Sequence, residues 1–158
     1  MMTYTTRLTT IDDLDTIADH RYLMFVDIGL DKTTLKKDRV VYIAWLEECI
    51  KASNYIGLVI ETDGKIVAGA GMWLSDGPPL PNLNSYNFRR ATIVNVYTTP
   101  DHRRKGLARQ LVDGLLDIAR EKNILAVRLH ASDAGRPLYE SIGFRQTKEM
   151  LLPLEDNA

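Results

Sequence analysis

Thr98 to Leu111 reads TTPDHRRKGLARQL, gathering Arg103, Arg104, Lys105 and Arg109 around His102 and Gly106 at the approach to an apolar run. The chain as a whole does not share that charge: 20 Lys and Arg stand against 21 Asp and Glu, a formal net charge of -1. Three uses compete for such a bend: a solvated basic turn, a nucleic-acid contact, or a cradle for a small phosphate-bearing ligand. A strand ending at Thr98, a turn at Pro100 and a helix starting near Gly106 would aim several unpaired backbone N–H groups in one direction. The helix dipole adds partial positive charge, worth about 0.3–1 kcal/mol for an exposed contact, and a glycine admits close approach. A diphosphate needs both features, since charge attracts it and fixed N–H groups orient it. Neither G-x-x-x-x-G-K-[ST] nor a G-x-G-x-x-G following a strand occurs, which argues against a nucleotide triphosphatase or a Rossmann enzyme.

Composition narrows the choice. A length of 158 residues with 45% hydrophobic content fits one compact domain spanning residues 1–158. The near-neutral charge and the lack of interleaved exposed aromatics exclude a general nucleic-acid binder, so any anion site is local. Cys49 is the only cysteine, so no internal disulfide forms, and no Cys/His spacing resembles a metal site. No metal is expected, and a reducing, cytoplasmic setting fits. The opening residues lack a basic start followed by an apolar run, and no stretch approaches the ~18–20 apolar residues of a membrane helix, so no membrane association is expected.

These residues need a scaffold. MTYTTRL alternates like a short strand, and Thr10 stands three residues before Asp13, a helix-start pattern leading into Ile11, Leu14, Ile17 and Ala18. That helix stops near Gly29, and a second covers Leu35 to Lys51. YIGLVIET, then DG, then KIVAGAGMWL predicts a hairpin. SDGPPLPNLNSYN reads as a long exposed loop, and RRATIVNVYTT as a strand with Ile93, Asn95 and Tyr97 on one face and Thr92, Val94, Val96 and Thr98 on the other. Leu107, Ala108, Leu111, Val112, Leu115, Leu116 and Ala119 recur on one helix face. ILAVRLHA predicts a strand, GRPLYESI a short helix, and GFRQTKEMLLPL a closing strand. The order β, α, α, β, β, β, α, β, α, β predicts an α+β domain built on one mixed sheet with helices on its faces.

RRKGLA, Arg103 to Ala108, resembles the [QR]-x-x-G-x-[GA] motif of the GNAT N-acetyltransferase superfamily, set between a strand and a long helix as in that family. VYTTP precedes it, and GRPLYESIGF farther along resembles the family's A-x-x-L-Y-x-x-x-G-F segment. The likeness covers nearly the whole chain. It implies a mixed, centrally antiparallel sheet with splayed fourth and fifth strands, flanked by helices, and an acetyl-CoA cosubstrate.

On that resemblance the backbone of Val96, Tyr97 and Thr98 pairs with the pantetheine arm. The amides of Arg104, Lys105, Gly106, Leu107 and Ala108 hold the pyrophosphate, with Arg103 as the motif's first residue and Arg109 as an electrostatic helper. Ser132 stands where many members carry asparagine and Gly135 where they carry alanine; Ser132 can bond a CoA amide, and Arg136 either reaches a CoA phosphate or faces water. The family's tyrosine maps to Tyr139, which protonates the departing thiolate; a phenol of pKa ~10 does this only slightly uphill toward a thiol of ~8.5. Its alternative is a packed helix aromatic. Acceptor recognition falls to the first two helices and the loop between the third and fourth strands, where Phe25, Asp27 and Trp73 are candidates beside Asn95.

The implied activity is acetyl-CoA-dependent N-acetylation of a primary amine of a small molecule, peptide or protein, by direct attack in a ternary complex. ATIVNVYT holds no carboxylate to act as base; Asn95 at best positions a water, and His130 and Asp133 end the following strand. The alternative is a noncatalytic CoA-binding or regulatory module on the same fold. A homodimer is compatible with the family.

Overall fold

Thr10 begins the first helical segment as its spacing predicts. Its N–H donates to Asp13 Oδ2 at 2.7 Å, while its hydroxyl accepts from the Asp12 N–H at 3.3 Å. The structure, a computed structural model, describes residues 1–78 and 89–154. In chain order they form β1 (Thr5–Leu8), a 3-10 turn (Ile11–Asp13), α1 (Leu14–Asp27), α2 (Lys32–Lys51), β2 (Tyr55–Thr62) and β3 (Lys65–Asp76). Then follow β4 (Arg89–Thr98), a second 3-10 turn (Pro100–His102), α3 (Leu107–Glu121), β5 (Val127–Leu129) and α4 (Arg136–Ile142). The segment expected as a long loop, Ser75 to Asn87, lies largely outside the described residues, and its first two residues belong to β3.

The sheet runs β1-β2-β3-β4-β5, antiparallel through β4, with β5 parallel to β4. The DG turn joining β2 to β3 has Asp63 at φ 49° and Gly64 at φ 72°, the paired left-handed geometry of a tight hairpin. Arg7 ties the sheet edge to the start of α1, reaching Asp13 and Glu61 at 2.8 Å each. Its guanidinium holds the Asp13 carboxyl below the usual carboxylate range.

Two apolar layers cover the sheet. Leu107, Leu111, Val112 and Leu115 of α3 pack on Leu58, Ile60, Met72, Leu74 and Ile93. Burying each large side chain stabilises by about 1.5–3 kcal/mol. On the other face Ile17 and Ala18 of α1 and Tyr42, Leu46 and Cys49 of α2 meet Tyr55, with Trp73 and Val94 against them.

Three expectations are corrected. The fourth strand does not alternate throughout: Ile93 and Val96 pack on the α3 side, whereas Val94, Asn95 and Tyr97 face the α1 and α2 side. Asn95 has φ 57°, and the register with β3 shifts between Gly69 and Gly71. An extra residue therefore sits in β4, and this bulge turns Val94 and Asn95 to the same face. The strand expected from ILAVRLHA is confined to three residues. Residues 143–154, expected as a closing strand, form none, and Met150, Leu151, Leu152 and Leu154 remain exposed. Alternation can specify a strand only where a neighbouring edge accepts its ladder, and among the described residues β5 pairs only with β4.

Candidate active site

β4 and β5 pair from Ala91 opposite Val127 to Ile93 opposite Leu129. β4 then continues to Thr98 without β5 beside it, so the backbone of Val94 to Thr98 borders an opening between the two parallel strands. The bulge at Asn95 marks the start of that opening. Beyond it, the Pro100–His102 turn leads to Arg104 at φ 61° and Gly106 at φ 77°.

The first hydrogen bond of α3 runs from the Gln110 N–H to the Gly106 carbonyl at 3.0 Å. The amides of Gly106, Leu107, Ala108 and Arg109 precede it and have no helical acceptor. A side chain at 106 would need a left-handed backbone, and its Cβ would meet nothing within 4 Å. The space beside Gly106 is therefore open, a cradle suited to an anion held by backbone donors. Leu107 is buried and anchors the helix start, while Arg104 and Lys105 are exposed.

The remaining basic groups have partners. Arg103 donates through Nε to the Thr98 carbonyl at 3.0 Å and reaches the Asp27 carboxylate through Nη2 at 2.5 Å. Arg109 donates to Ser141 Oγ at 2.6 Å, joining α3 to α4. Arg136 lies 3.9 Å from Glu140, an exposed pair of little energetic weight.

Tyr139 is half-buried on α4, edge-on to Phe144 with ring centroids 6.0 Å apart. Burial pushes its hydroxyl pKa up, so it stays protonated at neutral pH. Gly135 explains one departure from the family pattern. A Cβ there would stand 3.0 Å from Tyr139 Cε2 and 3.2 Å from Ser132 Oγ, so glycine lets the ring lie close to the turn. Ser132 Oγ accepts the Gly135 N–H at 3.1 Å and fixes the start of α4.

The acceptor-side candidates do not form one cluster of free groups. Asp27 is paired with Arg103. Trp73 packs edge-on to Trp45 at 6.0 Å. Phe25 lies under the Arg21 guanidinium, 4.6 Å from ring centroid to Cζ, and Arg21 also covers Tyr42 at 4.4 Å. Asn95 is buried, and its amide donates to the Tyr42 hydroxyl at 2.5 Å. His130 and Asp133 are exposed.

Sequence reasoning missed His20, Arg21 and Tyr42. His20 lies buried on α1 with its ring 5.0 Å from that of Tyr97, and burial lowers its pKa. It also borders a cavity of about 10 Å³ shared with Thr9, Tyr55 and Asn95. Its spacing three residues after Ile17 on the apolar face was the available signal. A larger cavity of about 460 Å³ between α3, β5 and the end of α4 is lined by Gly143 and Phe144 at the end of the GRPLYESIGF segment, but by neither Tyr139 nor any residue of Arg103 to Ala108. Among the described residues no cluster of metal-ligating side chains occurs, and no helix is long and apolar enough to cross a membrane.

A sequence profile of the acetyltransferase (GNAT) family matches residues 17–144, and the chain belongs to that family. It is an N-acetyltransferase of this class. Among curated relatives it is 34% identical over 140 residues to the L-amino acid N-acyltransferase MnaT of Escherichia coli, covering 85% of this chain and 73% of that protein. A second, the L-methionine sulfoximine/L-methionine sulfone acetyltransferase of Salmonella typhimurium, is 31% identical over 85% of this chain and 74% of its own length. A GCN5-related N-acetyltransferase structure from Ralstonia eutropha superimposes with TM-score 0.90 at 32% identity, over 96% of this chain and 99% of its own. A predicted acetyltransferase from Clostridium acetobutylicum, solved with acetyl-CoA, superimposes with TM-score 0.83 at 25% identity, over 96% of each chain.

Proposed function

We propose that residues 1–158 act as one acetyl-CoA-dependent unit that acetylates a primary amine by direct attack. The observation that carries this reading is the junction of the β4–β5 opening with the left-handed turn at Gly106, where strand backbone and helix-start amides follow one another. The fit to a diphosphate is supported by the open position beside Gly106 and by the helical amides that precede the first α3 hydrogen bond.

In this reading Val96, Tyr97 and Thr98 offer strand hydrogen bonds to the pantetheine amides, and Arg104 to Ala108 hold the pyrophosphate. Bound acetyl-CoA supplies an activated thioester carbonyl. Tyr139 donates its phenolic proton to the sulfur as the C–S bond breaks, and the amine nitrogen forms the new amide bond while losing one proton to solvent. β4 bears no carboxylate, so the amine enters as the free base and the rate rises with pH toward the amine's own pKa. The acceptor is an amine of a small molecule, peptide or protein. The names of the two curated relatives put the α-amines of amino acids first in the panel.

Thermal melts with and without acetyl-CoA test the binding step, since a ligand held by the folded state raises the melting temperature. No shift at millimolar acetyl-CoA contradicts the reading. A second reading, a noncatalytic CoA-binding module, is favoured by the missing β4 carboxylate and by the engagement of Ser132 with Gly135. It predicts the same thermal shift with no thiol release in the presence of any amine.

A further inference from the structure

Arg103 opens the motif, and its side chain joins the last residue of α1 to the last residue of β4. Nε bonds the Thr98 carbonyl, Nη2 bonds Asp27, and the guanidinium carbon lies 5.7 Å from the Tyr97 ring centroid. Asp27 is 76 residues away in sequence, and both side chains are a little under half exposed. We propose that Asp27 is a positioning residue for the acetyl-CoA site, acting through Arg103 to fix the turn that leads into α3. The proposal rests on the acetyl-CoA reading above.

The Pro100–His102 turn is closed by the His102 N–H on the Thr99 carbonyl at 2.9 Å and the Arg103 N–H on the Pro100 carbonyl at 3.3 Å, and the Tyr4 hydroxyl meets His102 Nδ1 at 2.9 Å. Beyond it Arg104 and Gly106 hold left-handed conformations, and the Arg103 side chain is what ties that stretch to β4 and α1. Amides orient a diphosphate only while the turn keeps its shape. A planar guanidinium can satisfy a carbonyl through one nitrogen and a carboxylate through another, a two-point hold that a lysine ammonium does not reproduce. Asp27 supplies the second point.

Electrostatics alone makes the opposite prediction. A carboxylate at the rim of an anion site repels a diphosphate, so removing it as a bare charge tightens binding. Removing it as the anchor of Arg103 loosens binding. The sign of the change separates the two roles.

The experiment measures acetyl-CoA affinity by calorimetry at fixed ionic strength for the wild type, Asp27→Ala, Asp27→Asn and Arg103→Lys, with acceptor KM at saturating acetyl-CoA. The expected result is weaker binding in Asp27→Ala and Arg103→Lys by about two- to fivefold, the scale of a half-exposed ion pair. Asp27→Asn falls between these variants and the wild type, a variant combining Asp27→Ala with Arg103→Lys is no weaker than either single one, and acceptor KM is unchanged. Tighter or unchanged acetyl-CoA binding in Asp27→Ala overturns the proposal. So does a raised acceptor KM with cofactor affinity intact, which makes Asp27 a contact for the amine. Arg103→Lys carries the same test if Asp27→Ala fails to fold. A wild-type protein that does not bind acetyl-CoA refutes the functional reading itself, a result distinct from all of these.

Discussion

The Asn95 amide and the Tyr42 hydroxyl meet at 2.5 Å, joining the β4 bulge to the middle of α2. Both residues are buried, and burial pushes the Tyr42 pKa up to about 12, so the hydroxyl remains neutral throughout the working range. The bond helps hold the strand where its pairing with β5 ends. It also engages the Asn95 amide nitrogen with Tyr42.

Replacing Tyr42 with Phe leaves the Asn95 amide buried without its partner, and the expected loss is about 1–3 kcal/mol in urea unfolding. Asn95→Ala loses the same bond and in addition forces alanine into the left-handed region at φ 57°, a further cost of about 1–2 kcal/mol. Asn95→Gly avoids that second cost. Equal destabilisation by Ala and Gly would show that the bulge relaxes when the side chain is lost.

His20 gives the fold a pH dependence of known sign. Burial depresses its folded pKa below 6.5, with the nearby Asp19 acting weakly the other way. The unfolded chain then binds a proton at a pH where the folded chain does not, so stability is flat above pH 6.5 and falls as pH drops from there to the folded pKa. Urea midpoints measured between pH 7.5 and about 5.5 should decline in the wild type and stay level in His20→Gln. Matching slopes in both proteins would assign the titration to other groups.

Tyr139→Phe removes the proposed proton donor without altering the Gly106 cradle. The expected outcome is a fall in kcat of about a hundredfold, with acetyl-CoA affinity close to the wild type. Because burial raises the hydroxyl pKa, wild-type activity should show no falling limb up to pH 9. An unchanged kcat in Tyr139→Phe removes this residue from the mechanism.

Local patterns carried much of the fold. α3 was legible because Leu107, Leu111 and Leu115 repeat on one face, and the turn at Asp63 and Gly64 was legible because few residue pairs accept two left-handed conformations. The family resemblance placed the Gly106 cradle and Tyr139. The bulge was hidden, since TIVNVYT alternates plausibly as a flat strand and an inserted residue leaves no mark in such a run. Contacts between residues distant in sequence were equally hidden. Asp27 looked available to an amine because nothing near it in sequence carries the guanidinium that holds it. The closing strand failed for a related reason: its apolar residues define a pattern, whereas a strand also requires a partner edge.

The most direct test of the central claim is thiol release from acetyl-CoA in the presence of a panel of amines led by L-amino acids, with the product confirmed by mass spectrometry. The account predicts release above hydrolysis for at least one amine, one acetylated product per thiol, and loss of that release in Gly106→Val, whose side chain would be strained at φ 77° and would enter the cradle. Wild-type protein that binds acetyl-CoA yet releases no thiol with any amine, or Gly106→Val that turns over like the wild type, would contradict it.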